Sequence, residues 1–253
     1  MENNYSIITL DNIQKIYDLG KFDRKHFMRK ALKKKLMNIT ALDNISLDIK
    51  SNERVALIGD NGAGKSTILK IISKITIPTA GSLEIRGVVC SLLEAGVGFH
   101  PELSGIENIY LNGAILGMKR QEIQQKVNNI SKFSEISREQ LSTPVKRYST
   151  GMHLKLALAI MLNLESQILI MDEIMAVIDN KFKIKCMKEI LRLVKEENKT
   201  LIFVSHQLDT VQKLCTRGIL LDKGKIIMDD KIDKVIEFYQ KNIKPDKNYI
   251  KNI

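Results

Sequence analysis

The sequence predicts an α/β fold: a mixed sheet with parallel strands in its core, an antiparallel edge and a glycine-rich loop at the strands' C-terminal ends. Three observations lead there. Short, wholly apolar runs at residues 55–58, 168–171 and 201–204 each end in glycine or polar residues, as strands buried on both faces do. Helical stretches at 152–163 and 181–198 each precede one of the two later runs, which favours parallel order with chemistry at the C-terminal edge. Directly after the first run, Gly59, Gly62, Gly64, Lys65 and Ser66 match G-x-x-x-x-G-K-[ST].

In that loop the glycines let the backbone bend without a Cβ in the way, so several N–H groups can face one anion. Asp60, Asn61 and Ala63 fill the remaining loop positions. Lys65 would reach the β- and γ-phosphates, and the Ser66 hydroxyl would sit on Mg²⁺. The segment opening with Ser66 and Thr67 starts a helix whose N-terminal dipole favours the same negative charge. A strand before the motif and a helix after it favour a nucleoside triphosphate over an unliganded turn.

In chain order, residues 6–10 read as an edge strand, continued from Ile13 to Tyr17. Between Lys21 and Lys35 stand eight Lys/Arg against Asp23 alone. Met28, Ala31, Leu32 and Leu36 recur there at helical spacing, leaving two readings: a solvated insertion, or a helix against an anionic lipid surface or membrane partner. Residues 41–49 alternate as a strand, and 82–86 give another, closed by Gly87. Residues 92–105 are rich in turn formers and read as a functional loop. Helices follow over 106–116 and 119–133, and then a loop over 141–148. Residues 219–221 and 225–227 make a hairpin across Asp222-Lys223-Gly224. A last helix covers about 232–243 before a polar tail.

Composition narrows the classes. Within 253 residues there is no run of 18 apolar residues that could span a membrane, and residues 1–6 lack a secretory pattern. Cys90, Cys186 and Cys215 are far apart, which fits reduced thiols and argues against a disulfide framework or zinc site. The net charge of +11 suits nucleic acid, an anionic membrane surface or an acidic substrate, and the 21–35 segment holds most of it.

Hydrolysis needs more than a phosphate cradle. Asp172 and Glu173 emerge where the 168–171 strand ends; Asp172 would hold Mg²⁺ and Glu173 would polarise the attacking water as general base. His206 follows the 201–204 strand, and parallel order puts it on the same edge, within reach of a γ-phosphate.

Together these residues resemble the ATP-binding subunit of ABC transporters. Tyr148-Ser149-Thr150-Gly151-Met152 occupies the place of that family's Leu-Ser-Gly-Gly-Gln signature. The resemblance implies a P-loop fold with a helical signature subdomain. It also implies that Ser149, Thr150 and Gly151 cap the γ-phosphate of ATP held by a second copy, closing a head-to-tail homodimer. Tyr17 would stack on adenine, and Asp179 would lie where subunits meet. No glutamine stands in the 92–105 loop where the family puts one; Glu94 is the nearest polar candidate. Asn52 replaces a usual glycine, a change that left-handed φ tolerates in Asn.

Residues 96–108, 144–152 and 173–179 are similar to subunits exporting O-antigen, capsule or teichoic acid. They imply ATP hydrolysis driving export of an undecaprenyl-linked polysaccharide through an integral-membrane permease. The subunit would be peripheral, on the cytoplasmic face of the bacterial cytoplasmic membrane, with no nucleic acid partner. The domain expected is 1–240, with a helical subdomain at about 92–162, a basic insertion at about 18–40, a tail at 241–253 and no carbohydrate-binding domain. Teichoic acid or another envelope substrate is the alternative within the class. A soluble nucleic-acid-associated ABC ATPase is the rival outside it, disfavoured by the absence of long coiled coils or tandem nucleotide domains.

Overall fold

The computed structural model describes residues 5–18, 38–91, 99–172, 178–205 and 207–243. The basic segment 21–35, Glu94, Glu173, His206 and the tail from 244 onward lie outside the described residues.

Two sheets arise from two kinds of strand sequence. Long strands mixing polar and apolar residues form the first: β1 (Ser6–Asp18), β2 (Asn38–Lys50) and β4 (Ala80–Ile85), antiparallel in the order β2-β1-β4. Here the structure corrects the expectation of an edge strand at 6–10. Strand β1 is central, because Ile8 faces Ile49 on one side and Ile85 on the other. Burial of both Ile7 and Ile8, one on each face, agrees with that position. At Asn12 (φ 49°) the strand bulges against both neighbours, in a left-handed conformation that Asn tolerates.

The second sheet is built from the short apolar runs. Its order is β5-β6-β7-β3-β8-β9, from β3 (Arg54–Ile58), β5 (Val89–Ser91), β6 (Ile168–Met171), β7 (Thr200–Val204), β8 (Arg217–Asp222) and β9 (Lys225–Lys231). All neighbours are parallel except β8 and β9. Leu57 lies opposite Val204, and Phe203 opposite Met171, so the strand ends leading to Gly59, Asp172 and Ser205 share one edge. Both central residues of the β8–β9 turn, Lys223 (φ 45°) and Gly224 (φ 78°), take the positive φ of a type I′ hairpin. The Gly224 N–H donates to the Ala63 carbonyl at 3.0 Å, and the Gly224 carbonyl accepts from the Asp43 N–H at 2.9 Å.

Helix α1 (Lys65–Ile72) buries Ile68, Leu69, Ile71 and Ile72 in the core shared by the two sheets. The 106–140 stretch resolves into α2 (Gly105–Ile115), α3 (Arg120–Ser134) and the single turn α4 (Arg138–Leu141). Helix α5 (Thr150–Asn163) is buried nearly all round, as a helix between two cores must be. Its Leu158, Met161 and Leu162 pack with the parallel sheet and α6 (Asn180–Glu196), whereas Leu156, Ala159 and Ile160 pack with α2 and α3. Two further helices, α7 (Leu208–Leu214) and α8 (Ile232–Asn242), pack into the same core as α6. Among the described residues no helix is long and apolar enough to cross a membrane.

Candidate nucleotide site

Strand β3 ends in the glycine loop, whose geometry requires the glycines. Gly59, Gly62 and Gly64 have φ of 148°, 83° and 108°, a region that side chains disfavour. A Cβ on Gly59 would lie 2.3 Å from the Leu221 carbonyl oxygen, and one on Gly64 would lie 2.7 Å from the Leu42 side chain. Gly64 is also the N-cap of α1 and supplies no side-chain cap, so the helix's first N–H groups depend on another acceptor. An anion fits that role. The Lys65 ammonium donates to the Gly59 carbonyl at 2.6 Å and the Asp60 carbonyl at 2.9 Å, folded over the loop and 8% exposed.

Asn61, Gly62, Lys65, Ser66, Thr67 and Asp172 line one cavity of about 410 Å³, with Ala41 and Val204 completing part of its wall. Parallel pairing of β6, β7 and β3 brings Asp172 there from a hundred residues downstream. Among the described residues no cluster of three His, Cys, Asp or Glu could hold a metal alone. One carboxylate beside one hydroxyl is the donor set that suits Mg²⁺ shared with substrate phosphates. Tyr17 is half-buried, its Cα partner on β2 is the cavity-lining Ile39, and the Lys15 ammonium sits 5.0 Å from its ring centroid.

The Ser149 turn stands apart. Ser149 caps α5, its Oγ accepting from the Met152 N–H at 3.2 Å, which starts the helix at Thr150 rather than at the expected Met152. None of the described residues lining the cavity belongs to α5. Gly151 has no steric need within its own chain, since a Cβ there would meet only Ser149 Oγ at 3.9 Å. Asp179 caps α6 through the Phe182 N–H at 2.9 Å and pairs with Lys155 at 2.7 Å. Lys155 first, then that N–H, holds the Asp179 carboxyl below its ordinary range.

Sequence reasoning missed a second feature, a groove at Phe99. Ser91, Phe99, Asn112, Ile115, Ile160 and Met161 line a small groove of mixed character between β5, α2 and α5, and Ile115 is 67% exposed. The loop beside it is pinned by fully buried Asn108, which donates to the His100, Leu103 and Ser104 carbonyls and accepts from the His100 N–H. A buried Asn inside an apolar helix pattern was the available signal.

A glycine cradle, a buried lysine, a helix N-terminus and a carboxylate at the edge of a parallel sheet define a P-loop nucleotide-binding domain. The ABC transporter family matches residues 42–176. The chain belongs to that family, as an ATP-binding, ATP-hydrolysing cassette. It is 42% identical over 200 residues to the O-antigen export system ATP-binding protein RfbB of Klebsiella pneumoniae, covering 79% of this chain and 80% of that one. A teichoic acids export ATP-binding protein TagH of Bacillus cereus is 35% identical, over 81% of this chain and 37% of that one. In fold the chain is similar to the dimeric ATP-binding cassette MJ0796 bound to ADP and Pi, with a TM-score of 0.72 at 24% identity, covering 89% and 98%.

Proposed function

We propose that this cassette powers export of an undecaprenyl-linked, O-antigen-like polysaccharide through a separate membrane permease, working as a homodimer that sandwiches two ATPs. The observation carrying the sandwich is the split of the phosphate ligands. The cradle, Ser66 and Asp172 share one cavity, while the Ser149–Gly151 turn, with an accessible helix N-terminus and a glycine its own chain does not need, lies outside it. A second copy supplies the missing half. Lys65 and the amides of the loop bind the phosphates, and Ser66 and Asp172 hold Mg²⁺. Mg²⁺ supplies neutralisation of the phosphate oxygens when bound. Glu173 is the general base that takes the proton of the attacking water, and His206 is the donor to the γ-phosphate. The groove lined by Phe99, Ile115 and Leu116 suits a permease segment, and Glu94 stays the candidate for the family's permease-contacting glutamine. On this reading the subunit works at the cytoplasmic face of the membrane, and no nucleic acid partner is expected.

The relatives support the polysaccharide, since three are named for O-antigen export at 42% identity. Teichoic acid export is the second reading, favoured by the relative named for it. The test pairs Lys65→Ala, expected to lose nucleotide binding, with Glu173→Gln, expected to form an ATP-dependent dimer by light scattering. A Glu173→Gln chain that stays monomeric with MgATP and permease overturns the sandwich. Turnover in vesicles containing the permease that does not respond to lipid-linked glycan overturns the substrate class.

A further inference from the structure

The phosphate loop contains a carboxylate, Asp60, beside residues that must receive a polyanion. Its backbone serves the cradle: its carbonyl accepts from the Lys65 ammonium at 2.9 Å and from the Ala63 N–H at 3.1 Å. Its side chain points elsewhere. Asp60 Oδ1 accepts a 2.7 Å hydrogen bond from the phenol of Tyr239, 179 residues away on α8. Asp60 is not among the residues lining the phosphate cavity, although its neighbour Asn61 is.

Tyr239 is well placed to hold it. The residue is 3% exposed, in the last turns of α8, and Val235 on the same face is fully buried. Gly218 lets that face approach β8 closely; a Cβ there would lie 2.9 Å from the Val235 side chain. Gln212 on α7 donates to Asp233 at 2.6 Å, tying down the start of α8. Burial first, then the Asp60 carboxylate, pushes the phenol above its ordinary range, so it remains a donor at every pH where the protein works.

We infer that Tyr239 is a positioning residue for nucleotide binding: its hydroxyl draws the Asp60 carboxylate toward α8 and keeps that negative charge away from the triphosphate. The inference rests on the nucleotide reading of the loop. Like charges a few ångströms apart repel strongly where protein displaces water. Without the phenolic hydroxyl, Asp60 is free to turn toward the cradle, and substrate binding weakens while the chemical step is untouched.

The test is steady-state ATPase kinetics and MgATP binding on the purified chain. Tyr239→Phe keeps the ring and its packing. It should raise KM and the dissociation constant about three- to tenfold, the size of one charge-assisted hydrogen bond reduced for partial exposure, with kcat within about twofold. Adding Asp60→Asn to Tyr239→Phe should recover most of that loss, because a neutral amide no longer repels phosphate. A packing role alone would leave the double variant as weak as Tyr239→Phe. The inference is overturned if Tyr239→Phe binds MgATP like wild type, or if the double variant shows no recovery. Failure of the wild-type chain itself to bind MgATP would overturn the nucleotide reading, and this inference with it.

Discussion

The Lys155 ammonium lies 2.7 Å from Asp179 Oδ2, joining the helix that follows the Ser149 turn to the first residue cap of α6. The same ammonium reaches Glu135 Oε2 at 3.5 Å and sits 4.9 Å from the centroid of buried Phe182, so one cation serves two carboxylates and a ring. The two segments expected at the subunit boundary are thus fastened to each other within one copy.

Lys155→Met should lower the melting temperature at pH 7 by about 1–3 °C, since the pair is partly exposed and screened. Asp179 is depressed, so its contribution is present above its unfolded value and lost as pH falls through the folded one. Lys155 is raised, chiefly by Asp179, so its contribution is present below its unfolded value and lost only at strongly alkaline pH. The gap between wild type and variant should therefore close as pH drops below about 4. A gap unchanged at pH 3 in thermal scans would show that the ion pair is not its source.

Ser149 has two separable duties. Ser149→Ala removes the acceptor for the Met152 N–H and should cost about 1 kcal/mol of stability. Ser149→Asp keeps an acceptor at the N-cap, so stability should hold, but it sets a carboxylate where the partner copy's γ-phosphate would arrive. In a Glu173→Gln background, light scattering should find the Asp variant folded yet monomeric with MgATP. A normal dimer from that variant would remove Ser149 from the interface.

Burial pushes the Cys186 and Cys215 thiols up to about 12. Both should resist iodoacetamide at pH 8 in the folded chain and react on unfolding in urea, read by mass spectrometry. The unfolded chain releases these protons first, near pH 8.5, so stability should decline as pH rises from there toward 12. Rapid native labelling of either would contradict the packing around α6 or α7.

Local features were readable in advance, and distant pairings were not. Gly59 and Gly64 announce themselves because a backbone conformation dictates residue type, whereas Ser149 was singled out only by the family resemblance, and its duty as the α5 cap emerged from the structure. Asp172 was legible from four buried residues ending in a carboxylate. By contrast, the central place of β1 depends on Ile8 meeting Ile85, a pairing across 77 positions that no periodicity encodes. Strand β5, with three residues, and α7, with seven, are too short to establish a period, and both escaped the sequence reading. Neither Tyr239 with Asp60 nor Lys155 with Asp179 carries a local signature; each follows from topology alone.

The tip of a two-residue hairpin is ordinarily the most forgiving place in a fold to graft a peptide or a fluorophore tag. Here it is not. Gly224 is clasped on one side by Ala63 of the cradle and on the other by Asp43, and any β-carbon there would press within 2.8 Å of the Ala41 oxygen. Lengthening this loop would pull the phosphate cradle open from behind. Engineers seeking a handle on this cassette should look elsewhere, because an apparently peripheral bend is wired into its energy supply.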